Sequence, residues 1–141
     1  MVRINIINPR FLTDQHLIAE YLEIIMLVSS ARKNFDKDKI PKNYCLGKGH
    51  INFFKNKLVY LKKRHERLKK EMKRRGFKTN ISLDIKNFKK EMLCDWKPSK
   101  KDKSLIKERI IYKINLKPNF YRHYKKKKPK SFFIKMTKKA N

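Results

Sequence analysis

Leu17, Tyr21, Ile24 and Val28 follow one another at spacings of four, three and four residues, and Ile18, Leu22 and Ile25 widen the stripe. Successive residues of an α-helix turn by ~100°, so a helix brings these positions to one face and a strand does not. Thr13 or Asp14 supplies an N-cap oxygen, and Arg32 and Lys33 suit the negative end of the helix dipole. The spacing predicts a first helix over Asp14–Lys33. A second is predicted over residues 49–75, with Phe54, Leu58, Leu61, Leu68 and Met72 on its buried side and Gly76 as the glycine that closes it. A third is predicted over residues 104–116, with Ile106, Ile110 and Ile114 on one face and Pro118 as its stop. Residues 83–93 give a short helical pattern. Residues 34–48 and the rest of 77–103 read as loop, with Trp96 as a packed anchor. Only three glycines are present, so hairpins with glycine turns are not expected. The expected fold class is all-α: a compact three-helix single domain over residues 1–124 with long loops. A basic, aromatic C-terminal segment leads into a lysine-rich tail at 125–141.

Forty Lys and Arg oppose twelve Asp and Glu, a net charge of +28. Such a chain repels itself until a polyanion neutralises it. Nucleic acid is the expected partner and a membrane is not. The longest apolar run, residues 24–28, falls far short of the ~20 residues that span a bilayer. No signal-peptide pattern opens the sequence. Two cysteines, Cys45 and Cys94, make no disulfide framework, so a reducing compartment is expected. His16, His50, His65, His123 and the cysteines lack metal-ligand spacing, and no phosphate-binding glycine loop or nucleophile elbow occurs. No metal and no cofactor are expected. In a chain poor in acids, Glu20 and Glu23 lie at i, i+3 on the first helix. Each either pairs with a nearby cation or works as a carboxylate beside a basic cleft. His50, after Gly49, reads as part of the turn that leads into a helix, and Phe53 and Phe54 read as core.

Several blocks together carry a resemblance. They are Arg3-Ile4-Asn5, Asp14-Gln15-His16-Leu17, Ala19-Glu20-Tyr21 with Glu23, Ala31-Arg32-Lys33, Leu46-Gly47 with Gly49-His50, and Arg75-Gly76-Phe77. Near the end stand Lys117-Pro118 and Phe120-Tyr121-Arg122-His123-Tyr124 with Lys126. Over most of its length the chain resembles the phage endonuclease V family of pyrimidine-dimer DNA glycosylases. The resemblance implies a three-helix fold and a glycosylase coupled to an apurinic-site lyase, acting on duplex DNA that contains pyrimidine dimers. It implies that the α-amine of Val2, after loss of Met1, is the nucleophile and that Glu23 is the second catalytic residue. By the same resemblance Arg3, His16, Tyr21, Arg109, Lys113, Tyr121, Arg122 and Lys126 are nucleic-acid-binding residues. Val2 replaces the usual threonine, which leaves the backbone amine in place. Leu22 and Met26 stand where the family has phosphate-gripping arginines, and Ile25 replaces a proline.

Two functions are therefore expected in competition. One is the repair enzyme, a monomer needing no cofactor. The other is a non-enzymatic RNA-binding protein that reuses the scaffold, as an accessory subunit of a ribosome in contact with ribosomal RNA and ribosomal proteins. Its motivation is the size of the positive charge and the two missing arginines. The expected setting is intracellular: the cytoplasm or nucleoid of a virus- or phage-infected cell, or alternatively a mitochondrion.

Overall fold

In the computed structural model of the chain, which describes residues 3–141, the first helix has the bounds its stripe dictates. This is α1 (Asp14–Lys33), capped by Thr13, whose hydroxyl accepts the His16 N–H. The second predicted helix is divided into α2 (His50–Phe54) and α3 (Leu58–Arg74). The division has a long-range cause. The Asn56 carbonyl accepts the Cys94 N–H and the Cys94 carbonyl accepts the Tyr60 N–H, so a distant loop takes backbone groups that a continuous helix would use. The next helix, α4 (Lys100–Leu116), starts earlier than expected because Ser99 and Asp102 form a reciprocal capping box. Residues 83–93 do not form the expected short helix; they contain only a 3₁₀ turn at Lys90–Met92.

The C-terminal region also corrects the expectation. A two-residue turn joins β1 (Arg122–His123) to β2 (Lys126–Lys127) in a hairpin, and α5 (Lys130–Lys139) follows within what was read as a lysine-rich tail. The hairpin needs no glycine. Tyr124 and Lys125 take left-handed φ values of 51° and 68°, and the Asp14 carboxylate accepts both of their N–H groups, at 3.1 and 2.7 Å. A strained turn of this kind persists where surrounding structure holds it. α5 packs on α4 with Phe133 and Thr137 buried, and the Asn8 N–H reaches the Asn141 carbonyl at 3.0 Å. The described residues thus carry five α-helices in place of three, and the fold is mostly helical with one minimal hairpin. None of these helices is long and apolar enough to cross a membrane.

α1 packs against α3. Leu17, Ile24, Phe54, Leu58, Leu61 and Leu68 are inaccessible to solvent between them and α2, and Ile106 and Ile114 bring α4 to the same core. One ion pair is buried within it. Arg64 donates through Nε and Nη2 to the two Glu20 oxygens, at 2.6 and 3.0 Å, and through Nη1 to the Ile7 carbonyl. Glu20 is thereby a structural acid, and only Glu23 of the acidic pair is left to a surface cleft.

Candidate active site

A cleft of about 240 Å³ opens beside α1 and α4, lined by Arg3, Asn5, His16, Ala19, Glu23, Arg109, Ile110, Lys113 and Tyr121. Helical geometry explains the choice. His16, Ala19 and Glu23 stand at i, i+3 and i+7, about a third of a turn round from the positions that face α3. Arg109 and Lys113 stand one turn apart on α4 and supply the facing cations.

Glu23 is half-buried, and its Oε2 accepts the Arg3 N–H at 2.9 Å. Burial raises its pKa, and the Arg3 N–H opposes that rise. The segment carrying this N–H is gripped one residue later. The Ile4 N–H donates to His50 Nε2 at 2.8 Å, and the Ile4 carbonyl accepts the Tyr44 hydroxyl at 3.1 Å. The other His50 nitrogen lies 2.8 Å from the Cys45 carbonyl. A carbonyl only accepts, so Nδ1 bears the proton and Nε2 is left as the acceptor. Burial lowers the His50 pKa and favours this neutral form. Gly49 sets up the arrangement with a φ of 93°, and a Cβ there would stand 3.2 Å from Pro41 Cγ. At the far end of the segment Ile6 holds a φ of 46°, rare for a β-branched residue, in a tight turn closed from Ile7 N–H to Asn5 carbonyl.

Cations line the same cleft as the carboxylate. Burial and the nearby Arg109 guanidinium both lower the Arg3 pKa, and guanidinium groups remain charged regardless. Arg109 Nε is buried and has no hydrogen-bond partner among the described residues. His16 forms the aromatic wall with Tyr121, their rings stacked at 4.9 Å and 13°. Burial and the Lys113 charge push the His16 pKa down to about 4, so its ring is neutral at physiological pH.

Three consecutive residues at the start of α1 hold the C-terminal aromatic segment against this wall. Asp14 accepts from the hairpin turn, Gln15 donates to the Phe120 carbonyl at 3.0 Å and accepts the Arg122 N–H at 2.9 Å, and His16 stacks on Tyr121. Periodicity does not show such a clasp, because its partners lie more than a hundred residues away.

Of the residues named from sequence, Arg3, His16, Glu23, Arg109, Lys113 and Tyr121 share the cleft. Val2 lies outside the described residues. Tyr21 belongs to the core: it is 3% exposed, stacks on His65 at 4.8 Å, and donates its hydroxyl to the Ile81 carbonyl. Arg122 and Lys126 are exposed on the hairpin. Leu22 and Met26 are exposed on α1, at 46% and 61%. The grip of Tyr44 and His50 on Ile4, and the place of Asn5, were not expected. Their one sequence signal was the Gly49-His50 step that leads into a helix.

A family model for pyrimidine dimer DNA glycosylases matches residues 1–85. The chain belongs to that family. The match takes in Arg3, Asn5, His16, Ala19 and Glu23 from the cleft, together with Tyr44 and His50 behind it. The α4 cations and the Tyr121 segment lie beyond the matched residues. DNA repair by base removal, and with it DNA binding, is the activity of the family to which this glycosylase-like chain belongs.

Proposed function

We propose that this chain is a DNA glycosylase with apurinic-site lyase activity, which removes pyrimidine dimers from duplex DNA with the α-amine of Val2 as nucleophile and Glu23 as the proton-handling carboxylate. The observation that carries the proposal is the 2.9 Å hydrogen bond from the Arg3 N–H to Glu23. It ties a carboxylate of raised pKa to the peptide nitrogen that directly follows Val2.

An α-amine titrates near ~7.7–8, so a useful neutral fraction exists at physiological pH. The positive charges of Arg3, Arg109 and Lys113 favour that neutral form. The amine attacks C1′ of the deoxyribose. A C–N bond to the protein forms, the glycosidic C–N bond breaks, and the base leaves with the bonding electrons and a proton. Opening of the sugar ring gives an imine at C1′. The imine draws electrons as Glu23 takes the C2′ proton; the C2′–C3′ double bond forms and the C3′–O bond breaks, releasing phosphate. A carboxylate whose pKa is raised by burial is suited to accept and return that proton. Arg109 and Lys113 hold the flanking phosphates, and the His16–Tyr121 stack offers a neutral aromatic wall to an unstacked base.

The test is strand cleavage of duplexes carrying one apurinic site or one pyrimidine dimer. Glu23→Gln keeps the shape and removes the basicity, so cleavage is expected to fall ~10²–10⁴-fold. An N-terminally acetylated chain is expected to lose cleavage as well, with duplex affinity retained in both. Cleavage that survives both changes contradicts the proposal. A chain that cleaves no damaged DNA but binds structured RNA tightly fits the non-enzymatic reading instead.

A further inference from the structure

α3 turns Leu61, Arg64, His65, Leu68 and Met72 inward. At ~100° per residue, Arg67, Lys70 and Arg74 then point away from α1, and all three are exposed. They stand at i, i+3 and i+7, a line about 10 Å long at ~1.5 Å per residue. Arg10, exposed in the Pro9–Phe11 turn, comes beside them, and with Asn8 and Glu71 the four cations line a groove of about 250 Å³. Glu71 is already engaged: its carboxylate accepts from Arg75 at 2.9 Å and from Arg74 at 3.0 Å. Arg10, Arg67 and Lys70 make no ion pair among the described residues. Like charges gathered in a concavity focus a field that attracts phosphate.

This groove shares no lining residue with the cleft. The cleft belongs to α1, α4 and Tyr121, whereas the groove lies on the outward side of α3. No exposed large apolar side chain borders it, which separates it from a membrane-binding face, where apolar residues enter the lipid beside the basic ones. We propose that the groove is a second seat for the phosphate backbone of duplex DNA, so that one molecule holds two duplex segments at once; this rests on the DNA-repair reading above for the identity of the polyanion. Such a seat lets a protein pass between segments while it searches for damage.

The experiment uses the full chain bound to an immobilised duplex with a stable apurinic-site analogue, over which a fluorescent undamaged duplex is passed. The bound protein is expected to capture the second duplex. Four phosphate contacts should make that capture roughly a hundredfold weaker at 200 mM salt than at 50 mM. Changing Arg10→Gln, Arg67→Gln and Lys70→Gln together, with Arg74 kept to pair Glu71, should weaken capture about tenfold or more, the scale of losing two or three phosphate contacts. Cleavage of a single damaged duplex should stay unchanged. If the triple variant fails to fold in circular-dichroism melts, Arg67→Gln alone decides, with the same direction expected. No capture by the native chain, or capture equal in the folded variants, overturns the proposal. So does groove-dependent binding of phosphatidylserine vesicles or an RNA hairpin in preference to the second duplex. A native chain that captures the second duplex yet cleaves nothing overturns the lyase reading alone; one that cleaves and captures nothing overturns only the second seat.

Discussion

Ile4 is held at both of its backbone groups, and the Arg3 N–H that meets Glu23 is its immediate neighbour. His50 is therefore a positioning residue for the proposed chemistry. In His50→Ala the Ile4 N–H loses its acceptor, and a displacement of about 1 Å at the reacting end costs on the order of 10²-fold in rate. Single-turnover cleavage of apurinic DNA should show this loss in kcat, with KM little changed. His50→Gln keeps one donor and one acceptor and should recover part of it. An unaltered kcat in His50→Ala would remove the residue from this role. The proton on Glu23 gives a second expectation. Its raised pKa places the acid limb of the pH–rate profile above the ordinary carboxylate range, and a limb at the usual value near ~4.3 would contradict it.

At the scale of elements, α1 and α3 are joined by apolar packing and by the Glu20–Arg64 pair, both side chains fully buried. Breaking one partner of a buried pair leaves an uncompensated charge, and Arg64→Leu should cost about 3–5 kcal/mol in denaturant melts. Glu20→Leu with Arg64→Leu should recover most of that loss; a double variant as unstable as the single one would show that the pair itself stabilises. This pair also marks the limit of the sequence. Periodicity gave α1 to the residue because capping and the apolar stripe are local signals. It ran α2 and α3 together because the break depends on Cys94, far along the chain. It missed the hairpin and α5 because their anchors are Asp14, Gln15 and Asn8 at the other end. Tyr21 stood in the core stripe by spacing and among the DNA contacts by resemblance; packing against His65 favours the spacing. The cleft residues came from the resemblance, and the helical turn explains why Glu20 and Glu23, three residues apart, have different fates.

For the whole molecule, charge and burial set the response to acid. All four histidines have lowered pKa values, with burial as the leading cause in each. The unfolded chain therefore binds protons below ~6.5 while the folded chain resists, in the case of His16 down to about 4. Their stabilising effect is full above the unfolded pKa and is lost as pH falls through that window. Glu23 acts in the opposite sense, being favoured when protonated, but it is one half-buried group against four. The melting temperature should thus fall between pH 7.5 and pH 4.5, and His16→Asn should flatten the slope; a flat native profile would contradict this. With a net charge of +28, added protons also increase self-repulsion in the same direction. The lyase chemistry proposed for this chain turns on one nitrogen, the α-amine of Val2. Borohydride reduction of the chain on apurinic-site DNA, followed by peptide mass mapping, identifies that nitrogen directly. The deoxyribose fragment is expected on the α-amine of Val2 in a chain without Met1; an adduct confined to lysine side chains, or a fully retained Met1, would contradict the lyase chemistry.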